Sequence, residues 1–205
     1  MDGVIIDSER LWQQAEFEVF TSLGVNVTKE YADQTKSMTT KEVTKFWFDK
    51  CPWLTESLDT VEQMVIARVI TLVETEDCEI TGIKDLLRLL KDKGYKIGLA
   101  TNSPNSIIPK VLEKAALVQF FDTISSAEFE INGKPDPAVY LTTASKLEVS
   151  TAECIAIEDS DSGMKAAKNA GMTVVGFTNG NANIHFEFAD FQIEHFNDFD
   201  IEVIN

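Results

Sequence analysis

DGVIIDSE, residues 2–9, opens the chain and is the first of four polar segments that decide its fold. The second is TNS at 101–103, the third is GKPDP at 133–137, and the fourth is EDS at 158–160. The second and the fourth directly follow short apolar runs that are typical of β-strands. Polar segments that follow parallel strands meet at one edge of the sheet, where α/β proteins bind their ligands.

Two patterns of hydrophobicity divide the chain. Up to about residue 79 the period is helical, with Leu11, Ala15, Val19 and Leu23 four residues apart and Gly24 as a stop. After that point, helices alternate with β-rich runs, which predicts an α/β fold with a Rossmann-like parallel sheet and helices on both faces. The predicted strands are 96–100, 121–125, 154–157, 172–177 and 191–193, and the predicted helices are 83–93, 103–112, 137–147 and 162–170.

Two helix starts can be predicted from local chemistry. Thr39 followed by Glu42 is a capping box ahead of an apolar helix. Ser103 followed by Pro104 is typical of an N-cap with proline at the first helical position.

Composition excludes several classes of partner. Eighteen Lys and Arg against 34 Asp and Glu give a net charge of −16, whereas nucleic acids and anionic membranes require basic surfaces. The three cysteines are scattered, which fits reduced thiols in a cytoplasm and no zinc site. Neither a signal peptide nor an apolar run of membrane-spanning length is expected. We therefore expect a cytoplasmic monomer with no nucleic-acid or membrane partner.

The four segments carry the groups that phosphoryl transfer needs. A hydroxyl and backbone N–H groups, as at Thr101 and Asn102, bind phosphate oxygens. Lys134 supplies positive charge, and the adjacent carboxylates of Glu158 and Asp159 suit Mg²⁺, which prefers oxygen ligands. Each segment alone also fits a helix cap, a turn or a solvated loop. The occurrence of all four in order favours a phosphoryl-transfer site.

In this order the segments resemble the haloacid dehalogenase (HAD) superfamily, and the resemblance extends along essentially the whole chain. The helical stretch after the first motif is similar to the capped, β-phosphoglucomutase-like group. The runs at 2–12, 68–74 and 126–128 look like those of bacterial 2-deoxyglucose-6-phosphatases or hexitol phosphatases. The resemblance implies a discontinuous core of residues 1–10 and 80–205 with an inserted all-helical cap of residues 11–79.

The resemblance also implies a role for each motif residue. Asp2 would protonate the leaving alkoxide and later deprotonate water, while its backbone carbonyl reaches Mg²⁺. Thr101 would bond the phosphate together with Asn102, and Lys134 would stabilise the phosphate and the nucleophile. The remaining Mg²⁺ ligands would be Glu158 and Asp159. The expected activity is that of a Mg²⁺-dependent phosphatase acting through an aspartyl-phosphate.

The nucleophile itself is expected just upstream of Met1. In the family's first motif two aspartates flank one residue, and the first of them is the nucleophile. Asp2 matches the second aspartate and Met1 the residue between, so the first central strand is expected to be truncated. A phosphosugar mutase would use the same site and return the phosphoryl group to an intermediate. A chain that truly starts at Met1 would instead be a non-catalytic binder of a phosphorylated ligand.

The expected substrate is a small phosphorylated sugar or polyol, such as a hexose 6-phosphate, 2-deoxyglucose 6-phosphate or a hexitol phosphate. A helical lid of roughly 70 residues could close over a monosaccharide but not over a macromolecule. Sugar-binding donors are predicted on the turn between cap helices, where Lys36 and Thr40 are the leading candidates and Ser37 and Thr39 lie beside them. Thr39 fits a helix cap at least as well. Four aromatic residues fit either a wall facing the sugar or, more readily, the cap core: Trp12, Phe46, Trp47 and Trp53.

Overall fold

The first part of the chain is helical, as the periodicity predicts. The computed structural model describes residues 1–36 and 38–204. Its first helices are α1 Glu9–Ser22, α2 Lys29–Thr35, α3 Thr40–Lys50 and α4 Leu58–Thr75. α4 packs against both α1 and α3, so these helices form one layer with a shared interior. None of the described helices is long and apolar enough to cross a membrane.

Aromatic packing and capping stabilise this helical layer. Phe20 is fully buried, and its ring centroid lies 5.9 Å from that of Trp47 and 6.1 Å from that of Trp53. Burial of such large rings is among the strongest contributions to a small core. The predicted capping box is present, because the Thr39 side chain accepts from Glu42 N and the Glu42 side chain accepts from Thr39 N.

The second part alternates helices with strands. The helices are α5 Ile83–Asp92, α6 Ile108–Lys114, α7 Ala138–Leu147, α8 Asp161–Asn169 and α9 Ile201–Ile204. The strands are β1 Gly98–Thr101, β2 Thr123–Ser126, β3 Ile155–Glu158, β4 Thr173–Phe177 and β5 Phe191–Ile193. Short 3-10 helices occupy Val118–Phe120, Ala127–Phe129, Thr151–Glu153 and Phe196–Asp198. The predicted α/β architecture is therefore confirmed.

The strands are parallel but form two separate sheets in the described part of the chain. β1 pairs with β2, and β3, β4 and β5 form the other sheet in that order. One edge of β1 and one edge of β3 thus have no described strand beside them. Both strands line a largely apolar cavity of about 490 Å³, which also contacts Met1, Val4 and Leu86. We call this cavity the slot.

The start of α6 differs from its prediction. The sequence places an N-cap at Ser103, whereas the helix begins at Ile108 with Ile107 in the cap position. The Ser103 hydroxyl instead donates to Asp2 Oδ2 at 2.6 Å. A side chain committed to a distant carboxylate cannot cap its own helix, so the local pattern was overridden by a tertiary contact.

Candidate active site

The polar segments meet at the edge where β1 and β3 end. Asn102, which follows β1, accepts a hydrogen bond at Oδ1 from the backbone N–H of Lys134 at 2.8 Å. Lys134 in turn places its Nζ 2.5 Å from Oε1 of Glu158, the last residue of β3. Residues predicted from three separate motifs therefore lie together.

Asp2 is held in the same place by three hydrogen-bond donors. Ser8 Oγ and Trp12 Nε1 donate to its Oδ1 at 2.5 and 2.9 Å, and Ser103 Oγ donates to its Oδ2. Sequence reasoning missed all three partners. Ser8 and Trp12 are four residues apart at the start of α1, a spacing that places both on one helix face and could have suggested a common target.

Thr101 closes the loop after β1. It is buried, and its Oγ1 accepts from Ser103 N at 3.1 Å. Ser126, at the end of β2, donates to the Ser103 carbonyl at 2.7 Å. The backbone of Ser103, whose side chain reaches Asp2, is therefore held at both its N–H and its carbonyl. The predicted contact of Thr101 with phosphate stays a prediction.

Two glycines make room for the paired carboxylates. Gly3 has a φ of +67°, and a Cβ at this position would collide with the Asp159 carboxylate. A Cβ at Gly163, in α8, would collide with the Glu158 carboxylate. Backbone that approaches a carboxylate this closely requires glycine. In the sequence, the signal for each was the glycine itself: Gly3 directly follows Asp2, and Gly163 lies three residues after Ser160.

The carboxylates of the site differ in the direction in which their pKa values are shifted. Burial would raise the pKa of Asp2, but the Met1 α-amino group and the three hydroxyl and indole donors together lower it. Burial opposes ionisation of Glu158 most strongly. The Lys134 charge, the Met1 α-amino group and hydrogen bonds from Lys134 and Tyr140 together outweigh burial, so the pKa of Glu158 is also lowered. Asp159 differs, because burial and then the neighbouring Glu158 charge raise its pKa to about 6.

The carboxylates of Glu158 and Asp159 supply oxygen donors of the kind that Mg²⁺ binds. Among the described residues, no group of three His, Cys, Asp or Glu side chains is spaced to hold a metal ion. Mg²⁺, however, is often bound by one or two carboxylates together with water and substrate phosphate. Glu158 is buried and Asp159 beside it is half-buried with a raised pKa, and a nearby cation would stabilise two adjacent carboxylates of this kind. The side chain of Asp2 has other partners, and its predicted contact with Mg²⁺ through the backbone carbonyl stays a prediction.

A second cavity opens beside Lys134, between the helical layer and the core. It has a volume of about 530 Å³ and is lined by Met38 and Glu42 on one side and by residues 132–137 and Asn169 on the other. Lys36 forms ion pairs with Glu9 and Asp33 at 3.3 and 3.2 Å. Thr40 is buried at the start of α3. The predicted sugar-binding roles of Lys36 and Thr40 stay predictions, and Ser37 lies outside the described residues.

The aromatic residues of the helical layer divide into two groups. Trp47 and Trp53 are buried in its core, and Phe46 packs edge-on against Trp47 with a centroid distance of 5.5 Å. This is the packing role that their spacing favours. Trp12 is different, because its indole N–H reaches Asp2.

The parallel α/β core, the helical layer and the cluster of Asp, Lys and Glu at the strand ends define a protein of the open α/β class with its ligand site at the carboxyl ends of the strands. A family model described as haloacid dehalogenase-like hydrolase matches residues 1–177. The chain belongs to this family and is a hydrolase of the haloacid dehalogenase type.

Individual relatives agree with this assignment. Hexitol phosphatase B of Escherichia coli (strain K12) is 41% identical over 174 residues, which cover 84% of this chain and 78% of that protein. β-Phosphoglucomutase of Bacillus subtilis (strain 168) is 37% identical over 143 residues, covering 70% and 59%. The crystal structure of β-phosphoglucomutase from Clostridium difficile has a TM-score of 0.84 at 26% identity and covers 99% of this chain and 92% of its own. The predicted family and capped fold are confirmed.

Proposed function

We propose that this protein is a Mg²⁺-dependent phosphatase that hydrolyses a small sugar or sugar-alcohol phosphate. The observation that carries the proposal is the convergence of Asp2, Lys134, Glu158 and Asp159, all buried or half-buried, at the ends of the strands. A phosphate monoester is a dianion, so its transfer needs fixed positive charge in a site shielded from water. Mg²⁺ held by Glu158 and Asp159 would neutralise charge on the transferring group.

In the proposed reaction an aspartate carboxylate attacks phosphorus, and the bond between phosphorus and the sugar oxygen breaks. Asp2 gives its proton to the departing alkoxide. Water then attacks the aspartyl-phosphate, Asp2 takes a proton from that water, and inorganic phosphate leaves. The donors Ser8, Trp12 and Ser103 stabilise ionised Asp2, which is the form that accepts the proton in the second step.

The attacking aspartate is proposed to occupy the position directly before Met1. The Met1 α-amino group is buried and lies close enough to Lys134, Asp2, Glu158 and Asp159 for each charge to act on its pKa, which burial lowers. A residue attached there would therefore enter the cluster. The slot between β1 and β3 has the unpaired edges and the apolar lining that a central strand leading to this position requires.

The substrate class is supported by size, charge and similarity. The cavity beside Lys134, at about 530 Å³, lies in the range of small-molecule sites. A net charge of −16 opposes polyanionic substrates. Hexitol phosphatase B is similar over most of this chain, which favours a phosphorylated hexitol or hexose. We place the cap that covers the site at residues 11–79.

A substrate screen of the chain extended through the upstream aspartate tests the proposal. We expect phosphate release from sugar and hexitol phosphates that stops when EDTA removes Mg²⁺. Asp159→Asn should lose most of this activity, whereas the matched control Asp161→Asn, on the exposed first turn of α8, should keep it. Nucleotides or phosphopeptides that turn over faster than every sugar phosphate tested would refute the substrate class.

A phosphosugar mutase is the second candidate, favoured by the 37% identity to β-phosphoglucomutase of Bacillus subtilis. It would use the same residues but return the phosphoryl group to a sugar hydroxyl instead of to water. Phosphorus NMR of the reaction mixture separates the two. Accumulating inorganic phosphate supports the phosphatase, and an isomeric sugar phosphate without phosphate release supports the mutase.

A further inference from the structure

We infer that Tyr140 is a positioning residue that holds Glu158 in place when Lys134 turns from Glu158 to the substrate phosphate. Tyr140 lies in the first turns of α7 and is buried. Its hydroxyl donates to Glu158 Oε1 and accepts from Lys134 Nζ at 3.3 Å. The same ammonium lies 4.7 Å from the centroid of the Tyr140 ring. The inference rests on the proposed function, and none of the four sequence motifs contains this residue.

All three hydrogen-bond donors of the Lys134 ammonium group already have partners in the protein. An ammonium group has three donors, and those of Lys134 reach Ala100 O at 3.0 Å, Glu158 Oε1 at 2.5 Å and the Tyr140 hydroxyl. Lys134 can therefore bind a phosphate oxygen only by giving up one of these partners. Glu158 is the partner whose negative charge the phosphate can replace.

Release of Lys134 would take the ammonium group away from the Glu158 carboxylate. Both side chains of the ion pair are less than 10% exposed, with 9% for Lys134 and 8% for Glu158. A buried charge that loses its partner is strongly destabilised. The Tyr140 hydroxyl remains on Oε1 after the exchange and partly compensates for the loss, because a hydrogen bond to an ionised acceptor is stronger than a neutral one.

The geometry around Glu158 suits Tyr140 to this task, because both carboxylate oxygens have close neighbours, and that of Oε1 is the Tyr140 hydroxyl. The other carboxylate oxygen, Oε2, lies against the backbone of Gly163. With Oε1 bound to Tyr140 and Oε2 confined by Gly163, Glu158 keeps one orientation beside Asp159. Tyr140 thus acts as residues behind a metal ligand commonly do, by fixing the orientation of that ligand.

The test is Tyr140→Phe, which keeps the ring, its packing and the ammonium–ring contact and removes only the hydroxyl. Tyr31→Phe, a hydroxyl deletion in the helical layer, is the matched control. Calorimetric titration with Mg²⁺ alone should give an affinity about tenfold weaker in Tyr140→Phe and unchanged in Tyr31→Phe. In the extended enzyme, kcat should fall by about tenfold and the Mg²⁺ concentration for half-maximal rate should rise. KM for the sugar phosphate should stay within about twofold, because Tyr140 acts on Glu158 and not on the substrate.

A cycle of unfolding midpoints in metal-free buffer decides the inference independently of the proposed function. The effects of Tyr140→Phe and Glu158→Gln on the unfolding midpoint should be non-additive. The midpoint of the double variant should fall by a few °C less than the two single decreases added together. Additive losses, or a Tyr140→Phe variant that matches Tyr31→Phe in Mg²⁺ affinity and kcat, would overturn the positioning role. A wild-type chain that binds no Mg²⁺ would contradict the proposed function, and the metal-free cycle would still decide whether Tyr140 holds Glu158.

Discussion

Glu16 is a residue whose chemistry depends on where α1 places it. It lies one helical turn after Trp12 and one turn before the fully buried Phe20. Burial alone raises the pKa of Glu16 to about 7, since no described charge or hydrogen bond offsets it. A carboxyl group with a raised pKa is bound to its proton more tightly in the folded state than in the unfolded state. It therefore stabilises the fold at low pH and costs stability once it ionises.

Glu16→Gln should consequently stabilise the protein at high pH. Wild-type stability should decrease as the pH rises from about 4.5 to about 7 and then level off, whereas the glutamine variant should lack this decrease. At pH 8 we expect the variant to be more stable by about 1–2 kcal/mol, a value reduced because the side chain is only partly buried. Urea denaturation between pH 4 and pH 8 measures the difference.

Glu18→Gln is the control for this experiment. Glu18 is exposed and paired with Arg68 at 2.5 Å, and this partner lowers the pKa of Glu18. Its replacement should bring no gain at high pH. An equal gain in both variants would mean that net charge, and not the burial of Glu16, sets the pH dependence.

Ser103→Ala should remove a donor that holds Asp2. The hydroxyl contributes a hydrogen bond to a half-buried carboxylate, so its loss should cost about 1–2 kcal/mol of unfolding free energy at pH 7. The pKa of Asp2 is lowered in the folded protein, so this contribution is present above the unfolded pKa near 3.8 and is lost as the pH falls. The cost should therefore shrink once the pH falls through the lowered pKa of Asp2. Ser22→Ala, whose described hydroxyl bond stays within its own helix, is the control, and a cost that stays constant until Asp2 is fully protonated would argue against the Asp2 bond.

Residue identities in the site were predictable only where a motif carried them. Asp2, Lys134, Glu158 and Asp159 stand in segments whose composition and position after strands indicate a common edge. Tyr140 and Trp12 stand in ordinary amphipathic helices, where an aromatic residue most often packs in a core. Their polar atoms reach the site through tertiary contacts, which no local pattern encodes.

At the scale of elements, predictions held where local chemistry controls the backbone. β3 and β4 begin and end within one residue of their predicted bounds, because apolar β-branched runs are flanked by polar residues. α3 begins where the capping box predicts. α6 was predicted to start four residues too early, because the serine that resembles its cap binds Asp2 instead.

The capping box gives a prediction for the stability of α3, whose first turn lies beside the 530 Å³ cavity. Thr39→Ala should destabilise the protein by about 1 kcal/mol, since Glu42 N loses its acceptor. The Thr39 methyl also approaches the core at Gly133, where an added Cβ would lie 2.8 Å away. Thr39→Ser keeps the cap but removes this methyl, so it should retain most of the stability in thermal unfolding. Equal losses in both variants would assign the effect to the contact with Gly133 and not to the cap.

At the scale of the whole molecule, the slot between the two sheets leads to the charged cluster of the site. The slot separates β1 from β3 with apolar side chains on both sides, and its end at Met1 and Glu158 adjoins the charged cluster. A strand that fills the slot would join the two sheets into one and pair the free backbone groups of both edges. The same strand would deliver its last residue to Asp2, Lys134 and Asp159. Stability and catalysis should therefore respond together to an extension upstream of Met1.

Adding an upstream apolar strand that ends in Asp should raise the unfolding midpoint by at least several °C and introduce Mg²⁺-dependent phosphatase activity. The stabilisation follows because each ladder hydrogen bond contributes about 0.5–1.5 kcal/mol and the slot becomes filled. The activity follows because a carboxylate nucleophile provides the covalent step, which Asp2 is placed to assist with protons and not to replace. The decisive control is the same extension ending in Asn, which should gain the stability without the turnover.

Robust Mg²⁺-dependent turnover by a chain shown by intact mass to begin at Met1 would refute the need for the upstream aspartate. Extension that leaves the unfolding midpoint unchanged would show that the slot does not accept a strand.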